Sequence, residues 1–230
     1  GIEASYIALS DGKIAIPMAT SQDHKRIYDD DKGPNTGGMG AYSPTLLSTD
    51  DIMEKTKSTI VEPTLKAMRD AGHPFVGFLY VGLMIVDGEP FVIEFNVRMG
   101  DPETQVVLPL LESSFFELLW NATHGKIKDS KVKISTKTAV TVVLASEGYP
   151  GSYPKGMVIS GLKSDSLVFH AGTKKIDDKI VTSGGRVLNV VGFGDDLKSA
   201  IDDAYRIVEG VNFEGKFYRK DIGQKGLNRD

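Results

Sequence analysis

Apolar and polar positions alternate through much of the first hundred residues. Residues 5–9 and 13–18 read as two strands joined at Asp11-Gly12, a strong two-residue hairpin turn. A second hairpin is predicted over "GFLYVGLMIVDGEPFVIEFNV", turning at Asp87-Gly88. Between them, residues 20–44 are rich in Asp, Gly and Pro and read as one long loop, a feature that in a compact domain is usually functional or disordered. The stretch "STDDIMEKTKSTIVEPTLKAMRDAG" predicts a helix, with Ser48 and Asp51 as a capping box, Gly72 as its stop and Pro63 as a kink. A further helix is predicted with Asp101 as N-cap and Pro102 at its first position, ending near Gly125. After "KIKDSKVKIS" the texture changes to short β-rich runs, with one helix carrying Leu197, Ile201, Tyr205 and Val208 on a helical period. The pattern predicts an α+β fold: an antiparallel sheet with helices, then a small β-rich domain with at least one helix. The boundary is placed between Lys126 and Lys137, giving expected domains 1–128 and 129–230.

Composition narrows the class. The chain has 230 residues, 40% apolar and 25% charged, enough for a real core. No apolar run approaches the ~20 residues of a membrane span. The net charge is −4 without a dense Lys/Arg block, which argues against nucleic acid as the main partner. There is no cysteine, so disulfides, thiolate metal sites and a cysteine nucleophile are all excluded, and a reducing, cytoplasmic location is expected. Residue one is Gly, no signal-peptide pattern follows, and the chain reads as part of a longer protein.

The sharpest chemistry lies in "FVIEFNVRMGDPETQ". On a strand, Glu94, Asn96 and Arg98 share one face, and Ile93, Phe95 and Val97 share the other, which is expected to pack on a core. The first face then offers a carboxylate, an amide oxygen and a guanidinium at steps of about 6–7 Å. The two oxygens suit Mg²⁺, and the arginine suits phosphate. Alternation alone equally describes an ordinary half-exposed strand. The predicted helix start after Gly100 adds a candidate anion site. Lys25 and Arg26 stand beside a Gly-rich segment whose backbone N–H groups could approach an anion, although glycines serve tight turns more often. There is no P-loop and no GxSxG elbow. His24, His73, His124 and His170 are scattered without zinc-type spacing. Arg186, Arg219 and Lys220 could contact an anionic ligand, and fit salt-bridged surface groups equally well.

Taken together and in order, "SQDHKR", "GPNTGGMGAYSP", "GFLYVGLM", "VIEFNVRMGDPETQ", "FHAGT", "GGRVL" and "YRKDIG" closely resemble the phosphoribosylamine–glycine ligases, also called glycinamide ribonucleotide synthetases, and "RMGDPETQ" looks like that family's signature. The resemblance covers nearly the whole chain. It implies an ATP-grasp ligase of de novo purine synthesis, with residues 1–128 as the carboxy-terminal ATP-grasp subdomain and 129–230 as the ligase's carboxy-terminal domain. The implied substrates are ATP, glycine and 5-phosphoribosylamine. The implied reaction passes through glycyl phosphate to glycinamide ribonucleotide, ADP and phosphate, and needs a metal and cations around the transferred phosphoryl group. Carried over, Glu94 and Asn96 resemble the Mg²⁺ or Mn²⁺ ligands, Arg98 the phosphate-side cation, and Asp101 a group orienting the site or a substrate amine. Lys25, Arg26, Asn35, Thr36, Gly37 and Gly38 resemble the substrate- and phosphate-binding loop, and Glu3 an acidic position near the ATP site. The family's layout places an amino-terminal domain and a first ATP-grasp subdomain before Gly1, so the missing amino-terminal half is the implied partner and this chain alone is expected to be inactive. Neither nucleic acid nor membrane is implied. The alternatives are another ATP-grasp carboxylate–amine ligase, against which "RMGDPE" and "NTGGMGAYSP" argue, and a non-catalytic binding fragment.

Overall fold

The computed structural model describes residues 1–45 and 49–227. In chain order its strands are β1 (Ile2–Asp11), β2 (Ala15–Pro17), β3 (Gln22–Asp23), β4 (Arg26–Tyr28), β5 (Lys32–Asn35), β6 (Gly40–Ser43), β7 (Val76–Val86), β8 (Glu89–Asn96), β9 (Thr138–Ser146), β10 (Leu167–His170), β11 (Thr173–Ile176), β12 (Lys179–Thr182), β13 (Arg186–Gly194) and β14 (Lys216–Phe217). Its helices are α1 (Asp50–Thr56), α2 (Glu62–Asp70), α3 (Thr104–Val107), α4 (Phe115–Thr123), α5 (Leu197–Gly210) and α6 (Gln224–Leu227). This is an α+β fold with antiparallel pairing. The chain forms two compact units, one of residues 1–22, 43–100 and 107–136, the other of residues 23–42, 101–106 and 137–230.

The first unit is built on an antiparallel sheet in the order β2-β1-β7-β8. β1 and β7 pair from Ile2↔Ile85 to Asp11↔Val76. One sheet face gathers Ala4, Tyr6 and Ala8 with Leu79, Val81, Leu83 and Ile85, and buries them against Ile52, Val61 and Leu65 of the helical segment. Each fully buried leucine or valine there contributes roughly 1.5–3 kcal/mol. At the other face Leu9 and Phe78 pack with Leu118, Ala122 and Ile127. The turn between β7 and β8 has positive φ at both Asp87 (51°) and Gly88 (79°), as the Asp-Gly pair requires.

Three local expectations change. Helix α1 is capped by Thr49, whose hydroxyl accepts from Ile52 N, while Ser48 lies outside the described residues. At Pro63 the chain does not simply kink. A π turn, Lys57–Val61, precedes α2, and the hydroxyls of Thr56, Ser58, Thr59 and Thr64 donate to carbonyls one turn back. The helix expected from Asp101 begins only at Thr104, tightens into a 3-10 turn at Leu108–Leu110 around Pro109, and restarts as α4 with Ser114 as cap. Asp101 is therefore no N-cap, and the four-residue α3 is too short for the anion-binding helix start that was expected.

The second unit centres on a sheet in the order β10-β13-β9-β6-β3, with β14 also pairing β9. Val140, Val142 and Leu144 of β9 and Leu188 and Val190 of β13 pack against Ala200, Ile201, Ala204, Ile207 and Val208 of α5. Asp196 and Ser199 close a capping box at the start of α5. Gly192 permits the close contact, since a Cβ there would stand 2.1 Å from Ala204 N. Residues 20–44 are not one long loop. They form four short strands, with β4 and β5 as a hairpin and β6 buried in the sheet. Among the described residues, no helix is long and apolar enough to cross a membrane.

Candidate functional site

In the first unit, sheet register decides which side chains meet. Facing pairs across antiparallel strands share a face. Ser5 faces Gly82, which faces Glu94; Ile7 faces Tyr80, which faces Asn96; Glu3 faces Met84. Glu3, Glu94 and Asn96 thus lie on one side of the sheet, opposite the side covered by α1 and α2. Asn96 Nδ2 donates to Glu94 Oε1 at 3.1 Å. Gly82 leaves room beneath this pair, because a Cβ on it would come within 3.1 Å of Glu94 Cγ. Beside it the hydroxyls of Ser5 and Tyr80 are 2.8 Å apart.

The other residues of β8 depart from expectation. Ile93, Phe95 and Val97 are 45%, 44% and 74% exposed, not packed on a core. β8 is an edge strand, and a register shift between Gly82 and Leu83 places Ile93 in a bulge. Arg98 does not continue the row of Glu94 and Asn96. β8 ends at Asn96, and Arg98 lies in a bend where its guanidinium donates to Met99 O at 2.9 Å.

The strand pair fits a hard divalent cation. It offers an exposed carboxylate beside an amide oxygen, with no cationic side chain bound to Glu94 among the described residues. No group of three or more His, Cys, Asp or Glu able to hold a metal occurs among the described residues, so a closed all-protein cage is absent. Mg²⁺ sites commonly use one or two protein oxygens and complete their shell with water and substrate phosphates.

In the second unit, the Gly-rich segment is held by a full set of hydrogen bonds. Arg26 pairs with Asn35 across the β4–β5 hairpin. The Arg26 guanidinium donates to Gly33 O at 2.7 Å. Thr36 N and Thr36 Oγ1 both donate to Lys25 O at 2.8 Å. Gly37 N donates to the Tyr149 hydroxyl, Gly38 N to Thr36 Oγ1, and Met39 N to His24 O. The N–H groups expected to approach an anion are therefore all engaged within the protein. The glycine at position 38 serves close approach: its φ is +108°, and a Cβ would fall 2.4 Å from Pro102 Cδ. Asp101 accepts from Gln105 Nε2 at 3.0 Å and from Arg186 at 3.1 Å.

Two features here carried no local sequence signal. Asp23 Oδ1 is buried without a hydrogen-bond partner. Burial, and then the charge of the buried Glu103, hold the Asp23 carboxyl well above the usual range. The second feature is Arg219, fully buried, donating to Asp221 through Nε and Nη2 and to Arg26 O and Asp31 through Nη1. Burial works against its charge, yet Asp221 and Asp31 raise its pKa above the ordinary value. Asp221, disfavoured by burial but bonded to Arg219, is held down at about 2. His24 is buried next to this cluster, with Nδ1 3.3 Å from Gly40 O and Nε2 accepting from Gly223 N. Burial, then the charges of Arg219 and Lys225, push its pKa down to about 3. Arg219 thus takes the salt-bridged alternative, in the interior instead of on the surface, and Lys220 contributes its backbone N–H to Asp29.

Comparison with known proteins agrees across the chain. The family model described as phosphoribosylglycinamide synthetase, ATP-grasp (A) domain, matches residues 1–104, and that of the same synthetase's C domain matches residues 139–225. A phosphoribosylamine–glycine ligase of Rhizobium meliloti is 47% identical over 100% of this chain, which covers 55% of that protein. The trifunctional purine biosynthetic protein adenosine-3 of Gallus gallus is 48% identical over 99% of this chain, covering 23% of its length. The crystal structure of a phosphoribosylamine–glycine ligase from Thermotoga maritima superposes with a TM-score of 0.90 at 40% identity, over 96% of this chain and 56% of that one. The Kluyveromyces lactis urea carboxylase shares the fold at a TM-score of 0.67 and 13% identity. The chain spans about half the length of the single-function ligases it matches. With both domain models matched in order, the chain belongs to the phosphoribosylglycinamide synthetase family.

Proposed function

We propose that the protein carrying this chain is an ATP-dependent ligase that joins glycine to 5-phosphoribosylamine in de novo purine synthesis. The observation that carries this reading is the Glu94–Asn96 pair on one sheet face with Glu3, inside the segment matched by the ATP-grasp domain model. Mg²⁺ or Mn²⁺ held by Glu94 and Asn96 would neutralise charge on the ATP phosphates. Glu3 would serve the ATP side, and Arg98 would serve the phosphoryl group by exchanging its bond to Met99 O for a phosphate oxygen. The glycine carboxylate attacks the γ-phosphorus and ADP leaves. The amine nitrogen of phosphoribosylamine then attacks the acyl carbon of glycyl phosphate, phosphate leaves, and the nitrogen gives up a proton. Asp101, fixed by Arg186 and Gln105, orients the amine. Lys25, Arg26, Asn35, Thr36, Gly37 and Gly38 hold a phosphorylated substrate, with anion contacts made by the cationic side chains, because the loop N–H groups are engaged.

On this reading residues 1–128 serve the ATP-grasp chemistry and 129–230 form the carboxy-terminal domain, in keeping with the two domain matches. The reaction takes place in the cytoplasm, and the chain, which spans about half the length of the single-function ligases it matches, does not turn over by itself. The test is metal-dependent ADP release and glycinamide ribonucleotide formation by the intact polypeptide, with glycine compared against other small carboxylates. Glycine-specific product, lost in Glu94→Gln and Arg98→Ala variants that stay folded, is the expected result. Turnover of a different carboxylate, or full activity in Glu94→Gln, overturns it.

A further inference from the structure

Arg186 opens β13 in the part of the chain matched by the C-domain model, yet its guanidinium bonds to residues matched by the A-domain model. Its Nη1 lies 2.6 Å from Gly37 O, 3.3 Å from Gly38 O and 3.0 Å from Asp101 O, and its Nη2 donates to Asp101 Oδ2 at 3.1 Å. All of these residues belong to the second unit. A register shift between Arg186 and Leu188 marks a bulge against β9, the kind of irregularity that re-aims a side chain. The guanidinium lies flat enough on Gly37 that a Cβ there would stand 3.0 Å from Arg186 Cζ.

These contacts fix the loop's peptide planes. With the carbonyls of Gly37 and Gly38 turned to Arg186, the N–H groups that follow point the other way, Gly38 N to the Thr36 hydroxyl and Met39 N to His24 O. Tyr149 lies in the same C-domain match and receives Gly37 N. One planar fork thus ties the Gly-rich turn to both ends of Asp101. A lysine ammonium could satisfy some of the same acceptors, but not in the same fixed plane.

We propose that Arg186 is a positioning residue for the proposed reaction: its fork sets the Gly37 and Gly38 peptide planes and the direction of the Asp101 carboxylate. This rests on the substrate-loop reading above and extends it, since the C domain then supplies working parts of the site. The test uses Arg186→Gln and Arg186→Lys in the intact polypeptide, read by steady-state kinetics and by amide hydrogen exchange. For Arg186→Gln, exchange at Gly37, Gly38 and Met39 should quicken about tenfold or more. The KM of one substrate should rise about tenfold, with a smaller change in kcat. Arg186→Lys should recover part of both effects. A merely structural role would lower the unfolding temperature and raise exchange throughout the unit without selecting one substrate's KM. Unchanged exchange at the loop, or a uniform loss across all substrates, overturns the proposal. If Arg186→Gln does not fold, Arg186→Lys carries the same comparison. If the wild type makes no glycinamide ribonucleotide, the functional reading fails on that result alone, and the exchange arm still decides whether Arg186 holds the loop.

Discussion

Asn96 donates its side-chain amide to Glu94 across two positions of one strand face, at 3.1 Å. The bond orients the carboxylate without a cationic partner, so its charge stays available to a divalent ion. Replacing Glu94 with Gln keeps the shape and removes the charge. It should lower kcat/KM about 100-fold or more in the intact polypeptide, with partial recovery at raised Mg²⁺. A metal titration of the variant against wild type measures this.

Gly38 sets a separate test by shape alone. Its φ of +108° and the proximity of Pro102 leave no place for a methyl group. Gly38→Ala should cost roughly 1–3 kcal/mol in unfolding free energy. By contrast Gly72, with nothing within 4 Å of a built Cβ but φ at +82°, should lose only about 1 kcal/mol on the same change. Urea unfolding of the two variants makes the comparison, and equal losses would contradict the crowding argument.

Arg219 is fully buried between Asp221 and Asp31. Truncating it removes the cation that Asp221 pairs with, while Asp31 keeps Lys225 and Asp221 is left with the Asp30 N–H, so Arg219→Ala should lose about 3 kcal/mol of stability. Arg219→Lys should recover little, because Asp221 is engaged through Nε and Nη2 together. Thermal or urea unfolding reads both variants.

The same region predicts a dependence on pH. The folded pKa of His24, about 3, lies below its ordinary 6.5, so the unfolded chain takes up the proton first. The contribution of His24 to stability should be complete above 6.5 and fall by a few kcal/mol as the pH drops towards 3, while Asp23, whose carboxyl the fold holds above its usual range, works in the opposite sense. Asp221, held at about 2 against an ordinary 3.8, adds a second loss only as the pH falls below 3.8. Unfolding free energies across this range should show the first slope in wild type and not in His24→Gln. Persistence of that slope in the variant would assign it to another group.

The long pairings of the first unit were legible because alternation and Asp-Gly turns act over neighbouring residues. The Asp87-Gly88 turn and the Glu94–Asn96 face came through, and the first hairpin formed, but it turns at Gly12 and Lys13, one residue beyond the expected Asp11-Gly12, with Asp11 still in β1. Strands β3 to β6 did not, since two to four residues rich in Gly, Pro and Asp carry no period, and only tertiary pairing makes them extended. Ile93 and Phe95 misled for a related reason: alternation indicates two faces but not whether anything covers them. The approach of Asp23 to Glu103, and the burial of Arg219, depend on residues far apart in the chain. No local pattern encodes them.

Every backbone N–H from Thr36 to Met39 already has an acceptor within the protein. A loop in that condition is preorganised. Its conformational entropy is surrendered during folding and not when a ligand arrives, so association carries little ordering penalty from this segment. Adaptability is then limited: a ligand of the wrong shape gains nothing by reshaping the turn, because every rearrangement breaks an existing bond. Selectivity in such a segment comes from stiffness, and the glycines that look like flexible joints act as its close-packed points.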